Sequence, residues 1–121
     1  MDEQIQKALE NDLTIDITTK GRKSGKPRKI EIWFHNVDGV LYITGTPGTR
    51  DWYANMLAEP EFTFHLKESV KADLPARATP ITDSPERKCI LTRMRELEGR
   101  DWDLTEWLKD SPLVEVTLEN A

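Results

Sequence analysis

The segment LTIDITTKGRKSGKPRKIEIWFH, residues 13–35, predicts two antiparallel strands joined by a basic turn. Apolar and polar residues alternate over positions 13–18 and again over 30–35, a period of two that is typical of half-buried strands. Between them, Gly21–Pro27 contains two glycines, which tolerate positive φ, and a proline that fixes φ where the chain leaves the turn. The segment therefore predicts a β-hairpin with a cationic tip.

The rest of the chain predicts four further strands and several short helices. The strands are expected at Val40–Thr44 after the turn Asn36–Gly39, at Phe62–Leu66, at Val70–Ala78 and at Leu113–Leu118. Pro75 predicts an edge position or a bulge in the fifth strand. Helices are expected at Glu3–Leu9, at Trp52–Leu57, from the capping residue Asp83 through Leu97, and at Leu104–Leu108. Six strands without regular strand–helix alternation predict a mainly β (α+β) fold, a small antiparallel barrel.

Length and composition indicate one small domain, residues 1–121. No apolar run reaches the roughly 18 to 20 residues of a membrane span, and the N-terminus lacks the features of a secretory signal, which predicts a cytoplasmic protein. Cys89 is the only cysteine and there are two histidines, so we expect neither a disulfide nor a metal site. Any redox chemistry is therefore expected to come from a bound organic ligand.

Charge is distributed unevenly along the chain. The net charge is −5, yet Lys20–Lys29 holds six basic residues and no acid, which leaves 11 basic and 22 acidic residues elsewhere. Nucleic acid is not expected as a partner, because binding a phosphate backbone needs a broad basic face. A concentrated positive turn suits a small, densely charged anion, whose oxygens backbone N–H groups and lysines can bind. From charge alone, a solvated hairpin tip that keeps a sheet edge soluble stays an alternative.

Two separated motifs resemble those of one enzyme family. Residues 18–28, TTKGRKSGKPR, resemble the T-T-x-G-R-K-S/T-G-x-P-R signature of the deazaflavin-dependent nitroreductase family, the coenzyme F420-dependent oxidoreductases. Asp51–Met56, followed by Glu59 and Pro60, is similar to the W-Y-x-N-L…N-P helix of that family. The resemblance also includes Ile32–Phe34 and Tyr42–Gly45, and it covers roughly residues 14–82.

The resemblance implies a split β-barrel of about six strands, like the FMN-binding pyridoxamine-phosphate oxidases, and a homodimer. It implies hydride transfer from reduced F420 to a small electrophilic acceptor such as a quinone, an enone or a nitro-compound. The turn would hold the phosphate and acidic tail of the cofactor through Lys23, Ser24, Gly25, Lys26, Pro27 and Arg28. The end of the third strand and the loop after it would line the deazaflavin ring through Ile43, Gly45 and Thr46. Trp52 and Asn55 of the following helix would lie nearby.

Two departures from the family pattern concern the cofactor. Relatives often have proline where Glu31 stands and lysine near the position of Thr46. An FMN-binding oxidoreductase of the same fold therefore stays an alternative, because the same turn could hold its single phosphate. A non-catalytic binder of a flavin-like or anionic ligand is a third interpretation.

The sequence names no catalytic residue, because the cofactor carries the chemistry. A proton donor to the product could be Tyr42, Tyr53 or water. Trp102 and Trp107 lie where relatives place substrate-pocket aromatics, although Trp107 is expected in the core. The two histidines, His35 and His65, are expected at the surface or barrel rim, and Cys89 is expected to be a small buried hydrophobic residue.

Overall fold

A computed structural model of the protein describes residues 2–99 and 104–119. Within these residues it has six strands and four helices. In chain order they are α1 (Glu3–Asn11), β1 (Thr14–Lys20), β2 (Pro27–Val37), β3 (Val40–Thr44), α2 (Asp51–Ala58), β4 (Glu61–Leu66), β5 (Ala72–Pro80), α3 (Ser84–Glu98), α4 (Leu104–Asp110) and β6 (Leu113–Leu118).

The strands form a closed barrel in the order β1-β2-β3-β6-β5-β4, and every pairing is antiparallel. The predicted six-stranded antiparallel barrel is confirmed. Strand β2 pairs with β1 along its first half, where Lys20 faces Pro27, and with β3 from Phe34 onward. The barrel interior is filled by alternate residues of the strands, and the rings of Phe34 and Phe64 meet edge to face with centroids 5.3 Å apart. The β1–β2 turn therefore projects beyond the end of a packed barrel.

Pro75 was expected to mark an edge position or a bulge; β5 has no bulge and is not an edge strand, but Pro75 itself lies at a local edge, just beyond the end of the pairing with β6. Strand β5 is hydrogen-bonded to β4 on one side and to β6 on the other, and its register with β4 runs without interruption from Ala72 to Arg77. Pro75 lies where the β5–β6 pairing begins, and its carbonyl accepts a 2.9 Å bond from the N–H of Glu119. The missing proline N–H therefore falls at the end of one ladder, where no partner strand needs it.

Helix α3 covers part of the outer face of the barrel. Its N-cap is Asp83, whose carboxylate accepts a bond from the N–H of Glu86, and Gly99 ends it with a left-handed φ of 62°. Leu91 and Met94 of α3 are fully buried in a second cluster. This cluster also contains Val37, Tyr42, Ile81 and Leu113, and Trp107, expected in the core, is partly buried against it.

Two side-chain environments differ from the predictions, and both differences come from α3. His35 is buried rather than at the surface, because α3 covers it and the Glu98 carboxylate pairs with its Nδ1. Cys89 is exposed rather than buried, because it lies on the side of α3 away from Arg87, Leu91 and Met94. Trp102 lies outside the described residues.

Candidate functional site

The basic turn between β1 and β2 is closed by its own backbone. The N–H of Gly21 donates to the Lys26 carbonyl at 2.8 Å, and the N–H of Gly25 donates to the Gly21 carbonyl at 2.8 Å. The Ser24 hydroxyl accepts a 3.2 Å bond from the N–H of Lys26. Gly25 has a φ of 71°, which favours glycine. A Cβ on Gly21 would lie only 2.8 Å from the Ser24 hydroxyl oxygen, so both glycines are needed for this shape.

Within the described chain, the turn leaves two N–H groups, those of Lys23 and Ser24, without a hydrogen-bond partner. Of the six cations in Lys20–Lys29, which covers the turn and the strand ends beside it, five form no ion pair with any described residue, since only the guanidinium of Arg22 pairs, with Asp51. These five are Lys20, Lys23, Lys26, Arg28 and Lys29. A fixed backbone with free N–H groups and unpaired cations is an arrangement that binds anions.

Asn55 of helix α2 fixes the turn to the body of the protein. Its side-chain carbonyl accepts bonds from the N–H of Arg22 at 3.1 Å and from the Arg22 guanidinium at 3.0 Å. Its amide donates to the Thr19 hydroxyl at 3.2 Å. Asn55 is only 4% exposed and its bond to Thr19 is buried, whereas its two bonds to Arg22 are partly buried. Asn55, which the resemblance implied to lie near the cofactor ring, thus holds the first residues of the turn in position.

The turn and helix α2 enclose a cleft of about 600 Å³, which we call the first cleft. Five predicted site residues line it: Lys23, Ser24, Arg28, Trp52 and Asn55. Gly25, Lys26 and Pro27 belong to the same turn and strand end but do not line the wall. Six lining residues were not predicted as site residues: Thr19, Gly21, Arg22, Lys29, Ile30 and Asp51. All six lie in or next to the two family motifs, so that proximity was the signal that could have identified them.

The three residues expected beside the ring do not lie together on this wall. Ile43 is fully buried in the barrel, so only its backbone could face a ligand. The hydroxyl of Thr46 accepts a bond from the Arg50 guanidinium. Gly45 does not line the first cleft either, although a Cβ there would be 4.0 Å from Cζ2 of Trp52, which does.

The wall of the first cleft is strongly cationic. It carries Arg22, Lys23, Arg28 and Lys29 against one carboxylate, that of Asp51, whose side chain is almost fully exposed. Glu31, the acidic departure from the family pattern, does not line this cleft. Its carboxylate pairs with Lys67, whose ammonium also bonds Asp16 at 2.9 Å, and these two hydrogen bonds raise the pKa of Lys67. The negative charge of Glu31 is therefore compensated outside the site.

Comparison with known proteins assigns both family and fold. A sequence model of the family described as F420H(2)-dependent quinone reductase matches residues 2–102. Among solved structures, the barrel is similar to an F420 reductase, with 19% identity, 98% of this chain and 95% of that chain covered, and a TM-score of 0.68. It is similar to a FAD-binding protein from Mesorhizobium loti (15% identity, 99% and 91% covered, TM-score 0.71).

A third similar structure is HutZ, the heme storage protein of Vibrio cholerae, with 17% identity, 99% of this chain and 91% of that chain covered, and a TM-score of 0.73. At these identities the structures establish the shared split-barrel fold. Over residues 2–99 and 104–119, no helix combines the length and the apolar character that crossing a bilayer requires.

Proposed function

The chain belongs to the F420H(2)-dependent quinone reductase family and is an oxidoreductase, and on this premise we propose that its first cleft holds coenzyme F420. We propose further that hydride passes from the reduced cofactor to a small electrophilic acceptor, with a quinone as the first candidate and enones and nitro-compounds as others. The observation that carries the proposal is the fixed turn beside a cleft of about 600 Å³, whose wall carries three unpaired cations, Lys23, Arg28 and Lys29.

The residues of the first cleft fit the chemistry of this cofactor. F420 carries a phosphodiester and a tail of glutamate carboxylates, and the turn offers the free N–H groups of Lys23 and Ser24 together with several cationic side chains. Charge-assisted hydrogen bonds of this kind are the strong ones. When bound, the cofactor supplies a hydride, so the task of the protein is binding and orientation. Asn55 performs the orienting part by fixing Arg22 and Thr19.

The end of β3 is proposed to receive the ring. Atoms of Arg50, Pro112 and Trp52 lie 3.7 to 4.0 Å from the position of the missing Gly45 Cβ, and the family motif supports this placement of the ring. The turn would hold the charged tail, and the strand end would hold the redox-active ring. We propose these two roles, tail binding by the turn and ring binding by the strand end, from the family motifs.

FMN is the second candidate ligand. A FAD-binding protein is among the similar structures, and one phosphate would fit the same two free N–H groups. Three unpaired cations on the cleft wall, with Lys20 and Lys26 close by in the chain, exceed what one phosphate requires, which favours a ligand with several negative charges. A non-catalytic binder or carrier of such a ligand would show the same affinity without turnover.

Parallel fluorescence titrations of the purified protein with F420 and FMN test the proposal. We expect saturable binding of F420 and an affinity loss of about 100-fold in the double variant Lys23→Ala/Arg28→Ala, since each charged hydrogen bond contributes at least about tenfold. The control Lys71→Ala/Lys88→Ala removes two exposed cations far along the chain from the turn and should bind normally. Equal affinity of the two double variants would refute the site assignment.

Turnover then separates an enzyme from a carrier. We expect the protein to catalyse oxidation of reduced F420 by 2-methyl-1,4-naphthoquinone, which is measured as the return of deazaflavin absorbance.

A homodimer stays a prediction. Leu13 and Trp33 are large apolar residues with more than a third of their surface exposed, and sedimentation of the purified protein measures whether it dimerises.

A further inference from the structure

A second cleft, of about 650 Å³, lies on the other side of the N-terminal part of α2. It is bounded by the loop after β3, by the start of α3 and by the segment that joins α4 to β6. The described residues that line it are Pro47, Gly48, Thr49, Tyr53, Thr82, Arg87, Glu106, Lys109, Asp110, Ser111 and Pro112. Its volume lies within the range of sites for small organic ligands.

Arg87 forms the floor of this second cleft and is only 7% exposed. Its guanidinium donates to the carbonyls of Ile81 (2.9 Å), Trp107 (3.0 Å), Leu108 (3.1 Å) and Ser111 (2.7 Å). No carboxylate of the described residues neutralises it, and burial lowers its pKa. A buried cation held only by neutral oxygens leaves a positive potential at the floor of the cleft.

Tyr53 supplies a free hydrogen-bond donor to the same space. Its ring is fixed edge to face against Trp52, with centroids 6.0 Å apart. Its hydroxyl has no hydrogen-bond partner within residues 2–99 and 104–119, although the side chain lines the cleft. Tyr42, the other tyrosine that the sequence offered as a donor, is buried in the second cluster and lines neither cleft. Only Tyr53 of the two can therefore reach a ligand in these clefts.

The charges on the wall indicate a neutral ligand. Arg87 and Lys109 are matched by Glu106 and Asp110, in contrast to the first cleft with its excess of cations. An anion would meet two carboxylates here, whereas a carbonyl oxygen would find the Tyr53 hydroxyl and the positive potential of Arg87. The first cleft therefore favours anions, and the second favours a neutral ligand.

The two clefts approach each other at Gly45. A Cβ at this glycine would lie 4.0 Å from Cζ2 of Trp52, which lines the first cleft, and 3.7 Å from Cγ of Pro112, which lines the second. Trp52 and Tyr53 are also consecutive residues that open onto different clefts. Gly45 therefore lies between Trp52 of the first cleft and Pro112 of the second.

We propose that the second cleft binds the electron acceptor as a neutral carbonyl compound, with Tyr53 donating a hydrogen bond to its oxygen. The proposal rests on the proposed function, because it gives the acceptor a site separate from that of the cofactor. Tyr53 is the specificity residue in this assignment, and Arg87 acts through its charge. The acceptor should bind without the cofactor, since no residue that lines the second cleft also lines the first.

Calorimetric titration of the cofactor-free protein with 2-methyl-1,4-naphthoquinone tests this site. We expect saturable binding that Tyr53→Phe weakens about two- to tenfold, the value of one neutral hydrogen bond. 2-Methylnaphthalene, which has no carbonyl, should bind equally to both proteins. Thr82→Trp should fill the cleft and abolish quinone binding, whereas the control Thr117→Trp, on an exposed position of β6, should not.

Unchanged quinone affinity in both Tyr53→Phe and Thr82→Trp would overturn the proposal, as would tighter binding of a carboxylated naphthoquinone than of the neutral one. The same variants are titrated with F420. Retained F420 affinity in Thr82→Trp confines its effect to the second cleft. If the unaltered protein does not bind F420, the proposed function is refuted but the quinone site is not, because the quinone titration is carried out without cofactor.

Discussion

Replacing Asn55 by leucine should uncouple the basic turn from helix α2. Leucine branches at Cγ as asparagine does and is somewhat larger, so the buried site stays filled, but the amide group is lost. The N–H of Arg22 and the Thr19 hydroxyl then lose their partners inside the protein. The guanidinium of Arg22 keeps only its 3.4 Å contact with the exposed Asp51. The turn should loosen at its first residues while the barrel persists.

The three bonds set the size of the effect. The two neutral bonds, at 3.1 and 3.2 Å, contribute about 1 kcal/mol each to the free energy of unfolding. The guanidinium bond at 3.0 Å would contribute about 1.5 to 3 kcal/mol if buried, but the Arg22 side chain is one-third exposed, so we assign it about 1 kcal/mol. Asn55→Leu should therefore lower the free energy of unfolding by about 2–4 kcal/mol.

Urea unfolding followed by tryptophan fluorescence measures this loss, and Asn55→Asp is the matched control. Aspartate can still accept both bonds from Arg22, so it should cost less stability than leucine. It also adds a negative charge to the wall of the first cleft, so F420 should bind about tenfold more weakly. A free energy of unfolding for Asn55→Leu within about 0.5 kcal/mol of the parent would refute the argument that this network holds the turn.

Three further substitutions test other parts of the structure. Gly21→Ala brings a Cβ within 2.8 Å of the Ser24 hydroxyl, so F420 affinity should fall several-fold while urea unfolding shows a loss of about 1 kcal/mol; unchanged affinity would contradict the need for glycine. Two backbone N–H groups hold the pKa of Glu68 below its usual 4.5, so its stabilisation is complete above that pH and lost below it; the stability gap to Glu68→Gln should narrow as pH falls, and a constant gap would contradict this. Arg87→Met leaves buried carbonyls without a donor and should cost about 3–5 kcal/mol in urea unfolding, whereas Arg77→Met, on the surface, should cost little; similar losses would refute the role of Arg87.

Local patterns in the sequence predict the barrel well, because each strand has one buried face and a period of two reports it directly. The basic turn is also local, so its glycines and cations were recognisable from residues 18–28 alone. Helix α3 marks the limit of this reasoning. Periodicity shows that His35 points away from the barrel interior, but not that a helix from 60 residues later covers that position. Its burial follows from tertiary packing.

In the candidate site too, local features were predictable from the sequence and tertiary contacts were not. The sequence placed Lys23, Ser24 and Arg28 together because they are neighbours in one turn, and the structure brings them onto one wall. The second cleft could not be predicted, because its residues come from the loop after β3, from α3 and from the α4–β6 segment. Arg87 appears in the sequence as one more arginine of a charged helix. Its burial depends on carbonyls more than 20 residues away.

The construction of the turn has a consequence for changing what the protein binds. Its shape depends on Gly21, Gly25, the Ser24 hydroxyl and Asn55. The side chains of Lys23, Lys26 and Arg28, by contrast, form no hydrogen bond or ion pair with the described residues. These three side chains can therefore be replaced without changing the backbone of the turn. Substitutions at these three positions, in natural evolution or in directed evolution, can thus change which anion the turn prefers while leaving the stability of the fold almost unchanged.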